Sequence, residues 1–356
     1  MQREPAGARR PSTIVGRPAG RSRRVGTLPV AMQRSQLPPH KSSTFVMRRW
    51  RAVYVSVNKA ACTSVKRLVA DLQDENLERF YSSLSREVGR AMTLHKRALW
   101  KNTPMLHRLR DEELASISPD AGWFIFAVVR HPTARVWSTW QSKLLLREPW
   151  WAERFGDEPW FPRIPTSTEQ IAEDFARFVE AIAENPDHPI MSNRHLRSQT
   201  HMLAPDRMPY TRIYKTNEMP QLLEDLERHL RDQGWDGTLT LPRSNETPLR
   251  PLAWFFTEPV IEAMQGMYGD DFTTFGYDDP LPDGLDRSER YRDEALAEVG
   301  RLIERAERIN DVILRARAAE QEAEEANARA AAAEERTVDA YARRARRRIR
   351  RRLRLR

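Results

Sequence analysis

Continuous apolar runs alternate with amphipathic stretches through the middle of the chain. Residues 52–57 and 124–129 are apolar and rich in β-branched side chains, as expected for strands buried on both faces of a sheet. Residues 210–216 and the shorter 239–241 predict two further strands. Because stretches of helical length separate these runs, their order predicts an α/β fold with a three-layer parallel sheet flanked by helices.

The segments between the strands carry the period of helices. The predicted helices cover residues 73–90, about 111–117, about 168–184, 218–232 and 257–268. A short strand is predicted over residues 90–95. These elements alternate along the chain as strand and helix, which is the order of a parallel α/β sheet.

The composition changes after residue 286, where Ala, Glu and Arg dominate. Apolar residues recur at three- and four-residue steps or their multiples from Leu296 to Ala316, which predicts a long helix over residues 287–342. This spacing fits a coiled coil of about three heptads, which would make residues 290–320 a homo-oligomer interface. It fits equally a single helix packed on the domain.

Positive charge is concentrated at the two ends of the chain. Residues 1–47 carry about +8 and residues 339–356 about +9, so the net charge of +9 leaves about −8 for the residues between them. The segment 1–45 is rich in Arg, Pro, Gly and Ser and is expected to be disordered. The Arg-rich tail, residues 343–356, could bind an anionic membrane surface or nucleic acid, or remain solvated. The central domain is then expected over residues 46–286.

The sequence favours a cytoplasmic protein, membrane-peripheral if its tail binds lipid. It has no apolar run of membrane-spanning length, and its basic N-terminus lacks the apolar core of a secretory signal. One cysteine, Cys62, is too few for an internal disulfide or a Cys-based zinc site. No tight cluster of His and carboxylate residues requires a metal.

The loop after the first predicted strand has the composition of an anion-binding site. It combines one lysine with small and hydroxyl side chains, and the candidate residues are Lys59, Ala60, Ala61, Cys62, Thr63 and Ser64. Small side chains let an oxyanion approach the backbone N–H groups, and the following helix adds a partial positive charge. An ordinary strand-to-helix turn with a capping residue would use similar side chains. The glycines of a Walker A loop are absent.

A second strand-to-helix motif covers residues 123–140. Arg130 follows the strand directly, at the edge where open α/β sheets bind ligands. Ser138 lies about two helical turns later. An arginine can bind a phosphate through two N–H groups, and a serine hydroxyl can add a further donor. The pair therefore predicts a second phosphate site, although Arg-x-Pro alone would also suit a plain strand exit.

Together the two motifs resemble the donor sites of sulfotransferases that use PAPS (3′-phosphoadenosine 5′-phosphosulfate). The loop is most similar to that of the carbohydrate, Golgi-type branch (sulfotransferase family 2), although Asn58 replaces its usual proline. Further similarity lies in residues 195–199, 241–245 and 268–277. The resemblance covers most of the chain outside its tails. Without a predicted membrane anchor, the chain looks more like a bacterial member than like the lumenal animal ones.

The resemblance implies a P-loop-like fold and a metal-free transfer of a sulfuryl group from PAPS to a hydroxyl or amine of a carbohydrate or small molecule. The Lys59 loop would bind the 5′-phosphosulfate, and Arg130 with Ser138 would bind the 3′-phosphate. Arg243 and Asn245 would add contacts to the nucleotide. By analogy with phosphoryl transfer, the displacement is in line, and Lys59 would neutralise charge on the leaving oxygen.

The transfer also needs a base for the acceptor's proton. His95 is the candidate, because it follows the predicted strand at 90–95 and related carbohydrate sulfotransferases place a catalytic histidine after their second strand. His107 and His195 are rivals for this role. His95 could also be purely structural, and His195 is in addition a candidate acceptor contact.

The segment 148–162 concentrates aromatic and acidic side chains and is the candidate acceptor site. Trp150, Trp151 and Trp160 could contact the acceptor, because aromatic faces stack on sugar rings and carboxylates accept hydrogen bonds from hydroxyls. The same rings could instead pack the segment onto the sheet, since tryptophan is largely buried in most proteins.

Two other functions are compatible with the sequence. A P-loop-type kinase would use ATP and Mg²⁺, but the Walker A glycines and an evident magnesium carboxylate are missing. A non-catalytic nucleotide-binding or membrane-docking adaptor of the same fold would rely on the C-terminal helix and tail. The presence of both Lys59 and Arg130 argues against a decayed site.

Overall fold

The computed structural model describes residues 32–80, 94–241 and 248–353. In these ranges the strands form one four-stranded sheet in the order β1-β2-β3-β4. The strands are β1 (Thr44–Met47), β2 (Ala52–Val55), β3 (Phe124–Val129) and β4 (Arg212–Lys215). The structure confirms three of the predicted strands, because β2, β3 and β4 lie within them.

The sheet is mixed rather than purely parallel. β2 pairs with β3 and β3 with β4 in parallel, but β1 runs antiparallel to β2, with Phe45 opposite Tyr54. Only residues 48–51 separate β1 from β2, which is enough for a hairpin but not for a crossover. The sequence analysis missed β1 because a four-residue strand beside a basic segment is too short for its apolar pattern to stand out.

The strand predicted over residues 239–241 is wrong. The backbone there is irregular, and the N–H of Leu239 donates to the carboxylate of Glu227 (2.8 Å). A side chain therefore takes the hydrogen bond that a neighbouring strand would have made.

Two predicted elements lie partly outside the described residues. Of the strand at 90–95, residues 90–93 are outside, and His95 lies in a turn. Of the helix at 73–90, the described part contains only a 3₁₀ turn at Leu77–Phe80.

The helices enclose the sheet and build most of the remaining fold. They are α1 (Cys62–Leu72), α2 (Asp111–Ala115), α3 (Pro132–Trp140), α4 (Pro149–Phe155), α5 (Thr168–Glu184), α6 (Gln199–Leu203), α7 (Met219–Asp232), α8 (Glu258–Thr274) and α9 (Asp293–Leu353). Four predicted helices correspond to α2, α5, α7 and α8. In α5, the hydroxyl of Ser167 accepts the N–H of Gln170 as an N-cap, and the predicted apolar face is buried.

Both faces of the sheet are covered. Every residue of β1, β2 and β3 is buried, and successive side chains of a strand point to opposite faces. A first apolar cluster surrounds the sheet and includes residues of α1 and α7. A second cluster joins α3, α4, α5, α8 and the start of α9.

The predicted long C-terminal helix is confirmed, and it extends further than expected. α9 continues to Leu353 and so includes most of the Arg-rich tail. Its first turns belong to the second cluster, where Val299 and Ile303 are buried, whereas nearly every side chain in residues 314–347 is exposed. The coiled coil stays a prediction. Among the described residues, no helix combines the length and the apolar character needed to cross a membrane.

The packed structure begins before residue 46. Met32 and Leu37 are buried in the first cluster, and the Arg34 guanidinium donates to the carboxylate of Asp111 (2.7 Å). The described part of the segment expected to be disordered, residues 32–45, is therefore folded against the domain.

Candidate active site

The loop between β2 and α1 has an unusual backbone. Lys59 and Ala61 both have positive φ, 67° and 52°, in the left-handed region that side chains with a Cβ rarely adopt. The N–H of Ala60 donates to the carbonyl of Val57 (3.4 Å), which curls the chain just before the helix begins. Strained non-glycine residues of this kind cluster at ligand sites. The small side chains of Ala60 and Ala61 suit the approach of an anion to the N-terminus of α1, and anion binding there stays a prediction.

The remaining predicted loop residues open α1. Cys62 is buried, and Thr63 and Ser64 are partly exposed in the first helical turn. The helix thus begins before Thr63 and Ser64, which the sequence had placed in the loop. Arg243 and Asn245, predicted to contact the nucleotide, lie outside the described residues.

Lys59 is a partly buried cation at the centre of the loop. Its ammonium donates a hydrogen bond to the Ser142 hydroxyl, which belongs to a π-helical segment, Gln141–Leu145, that continues α3. Burial lowers the pKa of Lys59 to about 8, and the neighbouring charges of Lys143 and Arg130 act in the same direction. Among the described contacts of this ammonium none involves a carboxylate, so a bound anion would meet an uncompensated positive charge.

Arg130 joins the second motif to the first. It follows β3, and its guanidinium Nη1 donates to the carbonyl oxygen of Lys59 (3.4 Å). The Gln199 side chain bonds both backbone groups of Arg130, at 2.9 and 2.7 Å, and so fixes its position. Ser138 is buried two turns along α3. The structure thus brings the two predicted phosphate sites together at the carboxyl edge of the sheet.

A cavity of about 410 Å³ opens beside Arg130. Its walls include Lys215 at the end of β4 and Tyr277, whose ring lies 4.6 Å from the Lys215 ammonium. The volume falls in the usual range for small-molecule sites, roughly 300–1,000 Å³. No residue of the Lys59 loop lines this cavity, so it has room for the part of a ligand that lies beyond Arg130.

Arg135 is a site residue that the sequence analysis missed. It is fully buried in α3, where it donates to the carbonyl oxygens of Asn58 (3.1 Å) and Arg194 (2.9 Å). Burial lowers its pKa. It therefore ties the Lys59 loop to the segment around residue 195. Its signal in the sequence was the lone charge of an otherwise uncharged helix, because a buried charge needs polar partners.

His195 lies beside the loop but is not free to act as a base. Its Nδ1 is 2.9 Å from the side-chain oxygen of Asn193, so this nitrogen carries the proton. Its Nε2 is 3.1 Å from the amide nitrogen of Asn58, which donates to it. Burial, followed by the charges of Lys143 and Lys59, lowers the pKa of His195 well below its usual value. His195 is thus a neutral ring that positions the loop.

The other two histidines lie in different places. His95 approaches the site from the side of α1, and its Nδ1 is 3.0 Å from the Lys66 ammonium nitrogen. His107 lies instead beside the N-terminal segment, where Arg34 donates to its carbonyl oxygen (3.3 Å). His95 and His195 therefore lie near Lys59, whereas no described interaction brings His107 to it, and His95 as the base stays a prediction.

The predicted acceptor tryptophans have different surroundings. Trp151 is buried with its ring 5.8 Å from His195, and Trp150 next to it is 44% exposed. Trp160 packs on Phe178 and His188, so for this residue the structure favours core packing over contact with an acceptor. Ring contacts thus link the exposed Trp150, through the buried Trp151, to His195.

No group of His, Cys, Asp and Glu side chains suited to a metal ion occurs among the described residues. The site is instead dominated by cations, with Lys59, Lys143 and Arg130 close together. Such a site suits a multiply charged anion.

The model of a protein family described as "Sulfotransferase family" matches residues 42–278, which is more than half of the chain. The matched region contains both the Lys59 loop and Arg130. Comparisons with curated proteins and with solved structures give no significant match.

Proposed function

The chain belongs to the sulfotransferase family, and from this premise we propose that it transfers a sulfuryl group from PAPS to a hydroxyl or amine of a carbohydrate or small molecule. The observation that carries the proposal is the hydrogen bond from Arg130 to the Lys59 carbonyl, because it unites the two anion-binding motifs in one site. A donor with phosphate at one end and phosphosulfate at the other matches this arrangement.

The residues of the site fit such a donor. The curled backbone of residues 59–61 and the start of α1 would hold the oxygens of the phosphosulfate. Arg130, with Ser138 on the same motif, would hold the 3′-phosphate. The cavity beside Arg130 would receive the nucleoside. Lys59 would place its charge where negative charge develops on the leaving oxygen.

PAP, the nucleotide product, is expected to raise the melting temperature of the protein, and ATP with Mg²⁺ is expected to raise it less. At a hundredfold excess over Kd, mass action adds about 2.7 kcal/mol to the free energy of unfolding. The measurement is a thermal unfolding series with each nucleotide. Arg130→Lys keeps the charge but loses the two-pronged phosphate contact, and should reduce the PAP shift.

A larger shift with ATP and Mg²⁺ would indicate a kinase and contradict the proposal. Incubation with labelled PAPS and a cell extract then tests for transfer and identifies the acceptor. PAP binding without transfer to any acceptor would favour the non-catalytic adaptor.

Trp150→Ala is expected to raise the KM for the acceptor and to leave PAP affinity unchanged. The Trp150 ring is exposed and is linked to His195 through Trp151, so an acceptor bound on this side of the site would stack on it. Steady-state kinetics and PAP titration give both quantities. Trp254→Ala is the matched control, because Trp254 is 42% exposed but packs on Phe255 and donates its indole N–H to the Glu289 carbonyl (3.0 Å). Equal effects of the two changes would show that Trp150 has no specific part in acceptor binding.

A further inference from the structure

Lys66 is a buried lysine whose ammonium nitrogen lies 3.0 Å from His95 Nδ1. It sits on α1, four residues after Cys62, so the helix repeat brings it onto a face that also carries Val69. Only 7% of its surface is exposed. His95 is an exposed residue, so it lies between this buried amine and the solvent.

The charges around the pair are mostly positive. Lys66 faces Arg194 and Arg97, and the Cys62 thiol is the neighbour that opposes them. The Phe45 ring lies 5.6 Å from the ammonium and offers its face to the cation. Burial, and then these two arginines, lower the pKa of Lys66 below its ordinary value near 10.5. The pair can therefore lose a proton more readily than a solvated lysine.

His95 also lies near Lys59 and Lys143, two cations of the candidate active site. Desolvation of the ring lowers its pKa to about 3, and the charges of Lys66, Lys143, Arg194 and Lys59 add to this effect, although part of the residue is open to solvent. His195 also lies near His95, and a charge on His95 would lower the pKa of His195. His95 is thus a neutral imidazole at physiological pH, and the question is which nitrogen carries its proton.

The contact with Lys66 decides the tautomer of His95. While Lys66 is charged, it donates to Nδ1, so Nε2 carries the ring proton and cannot accept another. After the pair loses one proton, Nδ1–H donates to the neutral Lys66 amine, and the Nε2 lone pair is open. Only this second form can take a proton from an acceptor.

We propose that Lys66 and His95 work as one proton-accepting pair in sulfuryl transfer, with His95 as the catalytic base and Lys66 as the positioning residue that sets its tautomer. The proposal rests on the proposed function. The acceptor O–H bond breaks and its proton goes to His95 Nε2, while the Nδ1 proton passes to Lys66 Nζ. The oxygen electron pair forms the new bond to sulfur, and the electrons of the broken S–O bond leave with PAP. The pair ends in the hydrogen-bonded arrangement seen in the structure.

The proposal predicts that kcat/KM rises with pH until the pair has lost its proton. The rate should rise rather than fall with pH, because the pair is protonated below the pKa of Lys66. In that protonated form Nε2 already carries a proton, so the pair is inactive. Lys66→Met removes the amine, so the rise should disappear and the profile should be flat from pH 6.5 to 9. In Lys66→Arg the permanently charged guanidinium would always donate to His95 Nδ1, so Nε2 would keep its proton. This variant should lower kcat/KM by about 10²-fold or more at every pH, within the range for losing a general base.

These two variants separate catalysis from structure. If Lys66 only fills space and keeps a charge in place, Lys66→Arg should be the milder change and both variants should keep the pH profile of the wild type. Lys143→Met is the control, since it removes a nearby charge without touching His95, and it should keep the rise with pH. The PAP-induced gain in melting temperature shows whether each variant is folded.

A measurement without turnover distinguishes this proposal from the proposed function. The ¹⁵N shifts of His95, assigned with His95→Gln, should show protonated Nε2 at neutral pH and protonated Nδ1 at higher pH. This switch should be absent in Lys66→Met. A tautomer that stays fixed up to pH 10 in the wild-type protein would overturn the pair, whatever the acceptor. Failure of transfer from PAPS with an intact tautomer switch would overturn only the proposed function.

Discussion

Replacement of Lys59 by methionine is expected to lower kcat for sulfuryl transfer by about 10²–10³-fold, the usual effect of removing a preorganised group that meets developing charge. The reason is the position of the ammonium. It is partly buried between Arg130 and the segment that carries Ser142, and no described contact pairs it with a carboxylate. Its interaction with the ligand should therefore strengthen as the leaving oxygen gains charge.

PAP affinity should change much less in this variant, because Arg130 and the loop backbone still hold the nucleotide. Single-turnover rates and PAP titration separate the two effects. Lys143→Met is the matched control, since it removes one positive charge from the same neighbourhood without removing it from the loop. The loss there should be smaller than for Lys59→Met, because Lys143 acts on Lys59 through its charge and no described hydrogen bond joins the two. Equal losses in both variants would show that net charge matters and not the position of Lys59. A Lys59→Met enzyme that keeps its turnover would contradict the catalytic role of Lys59.

The fold elements that the sequence predicts well are those with long, consistent patterns. β3 has six consecutive buried residues and α5 a full apolar face, and both lie where the pattern places them. β1 was missed because its four residues are informative only once β2 is beside them. The strand predicted at 239–241 was wrong, because Leu239 is buried without a neighbouring strand and its N–H donates to the Glu227 carboxylate. Short elements depend on tertiary partners that no local pattern reveals.

The residues of the site likewise divide into those that a local pattern reveals and those that only tertiary contacts reveal. Lys59 and Arg130 could be found because each follows a strand directly, and the carboxyl ends of parallel strands meet at one edge. Lys66 and Arg135 could not, because their importance lies in contacts with His95 and with the Asn58 carbonyl across the fold. The sequence does give one signal for each, because both are charged residues among the buried residues of a helix. Such a residue must find a polar partner, and only the structure shows which one.

Removal of residues 287–356, beyond the boundary that composition suggests, is expected to destabilise the domain severely. The start of α9 buries Val299 and Ile303 in the second cluster, and each such side chain contributes about 1.5–3 kcal/mol when buried. Arg147 also pairs with Glu307 (3.0 Å) and accepts from Asn310 through its carbonyl (3.2 Å). The total is comparable with the whole stability of a typical domain, about 5–15 kcal/mol.

A chain that ends after residue 320 keeps all of these contacts and should unfold at nearly the temperature of the full chain, because residues 321–347 are almost all exposed. Point variants make the same comparison without truncation. Ile303→Ala should lower the free energy of unfolding by about 2–5 kcal/mol. Ile309→Ala, two turns later and 49% exposed, should change it by less than about 0.5 kcal/mol. Denaturant unfolding of the four proteins measures these values. If the chain ending at residue 286 is as stable as the full one, α9 is an appendage and the second cluster is complete without it.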